Sequence, residues 1–87
     1  MKFRAALLNF DKTDIVVCQV TQKTIDDLDA AKNAIRYFQA IFPGRKTIIT
    51  AEDDYGRWIY LGNREICEAL NDFDIDDGDW ETYEVEG

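Results

Sequence analysis

The feature that most constrains this chain is a helical run at about residues 24–41, TIDDLDAAKNAIRYFQAI, set between two short β-branched runs. Leu28, Ala31, Ile35, Phe38 and Phe42 recur at alternating spacings of three and four, and Ala34 and Ile41 widen the stripe. One face of such a helix is apolar and has to be covered by another element. Thr24 is the expected N-cap, and Asp26, Asp27 and Asp29 suit the positive end of the helix dipole. Pro43 pushes Phe42 out of helical geometry and, with Gly44, ends the run.

The flanking runs read as strands. IVVCQVT (15–21) is short, β-branched and suited to burial, and residues 3–10 can pair with it through Asp11-Lys12-Thr13-Asp14. KTIITA (46–51) and RWIYL (57–61) form a second expected hairpin about Glu52-Asp53-Asp54. Gly62-Asn63 breaks it, and Asn63 can cap a short helix to about Asn71 with Ile66, Cys67 and Leu70 turned to the core. A turn at 76–79 leads into WETYEVE (80–86), a last strand. Tyr83 and Val85 share one face of it, and Thr82, Glu84 and Glu86 share the other, because strand side chains alternate.

The resulting string is ββαββαβ, an α+β class in a single domain of residues 1–87. From residue 15 onward it has the element order of a ferredoxin-like split βαβ fold with one added N-terminal strand. The expectation is an antiparallel or mixed sheet with two helices on one face. At 87 residues and 46% hydrophobic, the chain has enough apolar content to fold and little to spare.

Charge is distributed unevenly. Residues 71–87 hold Asp72, Asp74, Asp76, Asp77, Asp79, Glu81, Glu84 and Glu86 and no Lys or Arg, whereas residues 1–70 hold ten acids and ten bases. The body is neutral, and the acidic C-terminal segment 71–87 carries the whole net charge of −8. Direct binding to nucleic acid or to an anionic membrane is not expected, since both would be repelled. No apolar run approaches the length of a membrane span, and the apolar start of the chain stops at Asn9 and Asp11, short of a secretory signal core, so the expected location is cytoplasmic. Cys18 and Cys67 lie far apart, each in an apolar pattern, and are expected as free, packed thiols.

Several chemistries are closed. The chain has no histidine and no serine, which removes Ser-His-Asp and Cys-His catalysis and any zinc site containing histidine. Its five glycines are dispersed, so no phosphate-cradling loop is present and no cofactor is implied. YGRWIYLG (55–62) does not fit the aromatic strand pattern of an RNA-recognition module. The acidic segment does not fit a calcium loop either. With Gly78 at the glycine position, Phe73 and Ile75 fall on ligand positions; with Asp72 first, Asp77 replaces the glycine and Tyr83 the final glutamate.

The C-terminal segment remains as a contact surface. Glu84 and Glu86 stand on one strand face about 6.6–6.8 Å apart, Asp74, Asp76 and Asp77 extend the band through the turn, and Trp80 and Tyr83 lie among the acids. DNA carries a phosphate about every 3.4 Å along each strand, so an ordered row of carboxylates can occupy a groove built for phosphates. The expected function is a non-enzymatic protein-binding module, in its sharpest form a DNA-mimic inhibitor of the kind phages and mobile elements encode. Its partner would be a basic, nucleic-acid-binding protein. The alternative is a ferredoxin-like regulatory domain that binds a small ligand and forms a homodimer through its sheet.

Overall fold

The structure is a computed structural model and describes residues 2–10, 12–73, 75 and 78–85. Five strands, β1 (Lys2–Phe10), β2 (Thr13–Gln19), β3 (Lys46–Glu52), β4 (Trp58–Leu61) and β5 (Trp80–Glu84), form one mixed sheet in the order β4-β3-β2-β1-β5. Strands β2 and β3 are parallel, with Ile15 opposite Lys46 and Cys18 opposite Ile49; the other neighbours described are antiparallel. Among the described residues three helices pack on it, giving an α+β domain: α1 (Gln22–Asp26), α2 (Leu28–Ile41) and α3 (Arg64–Asn71).

This sheet is not the split βαβ of a ferredoxin-like fold. In that arrangement another strand separates the pair joined by the first helix; here β2 and β3 are direct neighbours. The helices also do not share one face. Val16 and Cys18 pack with Phe3, Ala5, Ile25, Ala31, Phe38, Ile49 and Ala51, under α1 and α2. Ile15 and Val17, alternating with them, pack with Ile48, Leu70 and Ile75, under α3. The reason lies in β2, which presents four consecutive apolar side chains with at most 1% exposure. A strand apolar on both faces has to be covered on both.

The long helix of the sequence reading is two helices. Asp27 adopts an extended conformation (φ −103°, ψ 110°), and its carboxylate accepts from the backbone N–H groups of Asp29 at 3.0 Å and Ala30 at 3.2 Å. It therefore caps α2 in the middle of the run. Thr21, not Thr24, caps α1, accepting from the Thr24 N–H at 3.3 Å. Leu28 thus becomes the first residue of α2 and lies 66% exposed, outside the buried stripe expected of it. Ala31 and Phe38 carry that stripe, with Ala34, Ile35, Ile41 and Phe42 half-buried beside them.

Two further features position the C-terminal part of the chain. Gly62 (φ 142°) passes so close to β3 that a Cβ there would lie 2.6 Å from Ile48 Cδ1 and 3.0 Å from the Thr47 carbonyl oxygen, which lets β4 turn sharply into α3. Asn63 then caps α3 by accepting from the Ile66 N–H. Trp58 on β4 and Trp80 on β5 stack with centroids 5.9 Å apart and planes at 21°. Their strands are the two edges of the sheet, roughly 19 Å apart at the usual strand spacing, so the two rings reach inward across the α3 face of a coiled sheet.

The β3–β4 turn is built on Asp53, whose carboxylate accepts from the backbone N–H groups of Tyr55 and Arg57, each at 2.9 Å, and pairs with the Arg57 guanidinium at 3.4 Å. These bonds, led by the Arg57 N–H, hold its pKa below the ordinary carboxylate value. A carboxylate with a depressed folded pKa stabilises the fold above its unfolded pKa and loses that contribution as the pH falls through the folded one. The hairpin amides of Tyr55 and Arg57 are therefore expected to lose exchange protection below the ordinary carboxylate range. An Asp53→Asn variant should lack that step; protection with the same acid profile in both proteins would show that another group controls the turn.

Both cysteines are free. Cys18 lies under α1 and α2 and Cys67 on α3 across the sheet, so the fold keeps them apart. Burial pushes the Cys18 thiol up to about 12 and raises the half-buried Cys67 thiol as well, which disfavours the thiolate form of both.

Candidate functional site: the acidic edge

Strand β5 is the outermost strand beside β1 and lies within the acidic segment. Its register, with Lys2 opposite Glu84, Phe3 opposite Tyr83 and Ala6 opposite Trp80, ties it to the sheet along its length. Two aromatic side chains lock it from opposite faces. Tyr83 stacks on Phe3 (5.5 Å, 16°) and meets the edge of Phe42 (5.3 Å, 89°) on the α1/α2 face. Trp80 stacks on Trp58 on the α3 face, donates its indole N–H to the Ile75 carbonyl at 2.7 Å, and carries the Arg4 guanidinium 5.4 Å above its ring.

Trp80 and Tyr83 therefore act first as anchors. Both are half-buried, and each belongs to the packing around one of the two cores. The acids around them are outside. Asp72, at the C-cap of α3, Asp79, Glu81 and Glu84 are all exposed. Neither salt bridge among the described residues, Arg57–Asp53 and Arg64–Glu68, involves them. Asp74, Asp76, Asp77 and Glu86, also expected at this surface, lie outside the described residues.

The described carboxylates do not stand in a single row. Glu81 shares the face of Tyr83 and accepts from its hydroxyl at 3.4 Å, while Glu84 shares the face of Trp80 and faces Lys2 across the ladder. Burial, with the neighbouring Glu81 charge second, raises the Tyr83 pKa, so its hydroxyl stays a neutral donor at physiological pH. The arrangement is a rim of carboxylates wrapping both faces of an edge strand, partly offset on one face by Lys2 and Arg4. The two cations were legible in the sequence as charges, but their place beside β5 follows from the β1–β5 pairing, which joins the two ends of the chain.

Chemically the rim can attract cations and basic side chains. Among the described residues no group of three or more Asp, Glu, Cys or His side chains is placed to hold a metal ion. No helix of the described residues is long and apolar enough to cross a membrane. Fold and edge together define a class: a small α+β domain with an ordered acidic edge strand. No protein-family model matches the chain, and no curated protein or solved structure is significantly similar to it.

Proposed function

We propose that the protein is a non-enzymatic binding module whose acidic edge engages a basic surface on a partner protein, with mimicry of a nucleic-acid backbone as its sharpest form. The observation that supports this reading is the combination found at β5: exposed carboxylates on a strand held by ladder pairing and by two packed aromatic side chains. A preordered acidic surface gives up little conformational entropy on binding, unlike a flexible acidic tail. It also steers a basic partner at long range and makes the complex sensitive to salt. The alternative of a sheet-to-sheet dimer has less support, because α3 and the Trp58–Trp80 stack occupy the face such a dimer would use.

The test is capture of basic proteins from cell extract on the immobilised protein and on an Asp72→Lys, Asp79→Lys, Glu81→Lys variant. These exposed positions leave Glu84, opposite Lys2, intact, and the variant should keep its fold. A specific partner should be retained at low salt, displaced both by high salt and by added duplex DNA, and bound at least about tenfold more weakly by the variant, equivalent to about 1.4 kcal/mol. Displacement by salt but not by DNA would remove the mimicry. Equal affinity of a folded variant would remove the acidic edge as the contact surface.

A further inference from the structure

At one end of the sheet the β1–β2 connection lies beside the α2–β3 connection, and Lys12, Arg45 and Lys46 come together there around an open cavity of about 490 Å³. Such a volume lies within the range of about 300–1,000 Å³ usual for small-molecule sites. The chain has 18 acids and only 10 bases, yet three of its bases line this one cavity. Among the described lining residues the only carboxylate is Asp14, and it already accepts from the Asn9 side-chain amide at 2.9 Å. Neither salt bridge among the described residues draws on the three cations. The C-terminal end of α2, which contributes Gln39 to the wall, supplies a dipole equivalent to about half a negative charge.

The backbone adds a second, independent observation. Phe10 pairs directly with Thr13, so two residues make the connection, and Lys12 within it has φ 66°. Glycine is the residue suited to that conformation in so short a hairpin. A lysine held there is locally strained, and strain of this kind clusters at functional sites. Arg45, which lines the cavity, is half-buried, and its Nη1 donates to the Ile15 carbonyl oxygen at 3.5 Å.

We infer that this cavity binds a phosphate group, either as the free ion or on a small phosphomonoester. A tetrahedral dianion matches the charge of the cluster better than a carboxylate does, and a guanidinium fork with two ammonium groups can donate to it from several directions. The Thr13 hydroxyl adds a neutral donor to the same wall. The acidic remainder of the molecule repels an extended polyanion, but charges beyond a Debye length of about 8–10 Å are screened from a small one. The cavity is distinct from the β5 edge, so this inference stands or falls separately from the proposed partner surface.

The test is titration of the folded chain with inorganic phosphate and, separately, with phenyl phosphate, followed by amide NMR shifts at constant ionic strength set with chloride. Saturable shifts are expected at Lys12–Asp14 and Gly44–Lys46. Tighter binding of phenyl phosphate would identify an ester as the ligand class, and tighter binding of inorganic phosphate the free ion. Arg45→Gln should weaken binding about tenfold or more. Lys12→Gly should weaken it about threefold or more while raising the melting temperature, since it relieves the strained φ. Lys46→Gln, at an exposed position, controls for loss of fold and should also weaken binding. Non-saturating shifts equal to those with chloride, or wild-type affinity in both Lys12→Gly and Lys46→Gln, would overturn the assignment.

Discussion

Phe38→Ala should destabilise the protein by about 3–5 kcal/mol, the usual cost of emptying a buried aromatic site. Phe38 is 2% exposed, and its ring packs 4.8 Å from that of Phe3 and 5.4 Å from that of Tyr37. It lies at the junction of α2, β1 and, through Phe3, the Tyr83 anchor of β5. A small domain has total stability on the order of 5–15 kcal/mol, so this one truncation could remove half of it. The matched control is Leu28→Ala. Leu28 sits on the same sequence stripe but is 66% exposed, and its truncation should stay within about 0.5 kcal/mol. Chemical denaturation of the two variants measures both values. Equal losses would restore an uninterrupted helix with Leu28 inside; a loss below about 1 kcal/mol for Phe38 would mean that this face is not the core.

Leu70→Ala should cost about 2–5 kcal/mol, and it tests the second core. Leu70, on α3, is fully buried against Ile15, Val17, Ile48 and Ile75. Among the described residues an eight-residue helix and the Trp58–Trp80 stack help to cover this side, with Phe10 and Phe73 beside them. Tryptophan emission should shift red as well, since both indoles pack against this cluster. An unchanged denaturation midpoint would show that α3 covers little, and the sheet would then have one core.

Much of the fold was legible because the physics behind it is local. The α+β class, the two hairpins, the Asn63 cap and the end of α2 before Pro43-Gly44 all follow from patterns within a few residues. The break at Asp27 was also local, but Asp27 served two readings: an acid in the first turn of one helix, or the cap of a second. The 3-4 apolar spacing begins only at Leu28, directly after Asp27, and fits either. Only the extended backbone at Asp27 decides for the second, and with it the exposure of Leu28. At the candidate site the residue types and the alternation of Tyr83 and Glu84 were readable. The roles of Trp80 and Tyr83 as anchors were not, because Trp58 and Phe3 are 22 and 80 positions away from them in the chain.

By itself, the sequence determined the α+β class, the neutrality of the first 70 residues and the acidity of the last 17. These depend on composition and on spacings of two to four residues. The tertiary structure decided which strands are neighbours, that β2 is buried on both faces, that the helices divide between those faces, and that Lys2 and Arg4 stand beside the acidic strand. It also decided that Lys12, Arg45 and Lys46 share one cavity. The reason is the same in each case: strand order and face assignment are settled by how all the apolar surfaces can be covered at once, a condition on the whole chain that no local window contains.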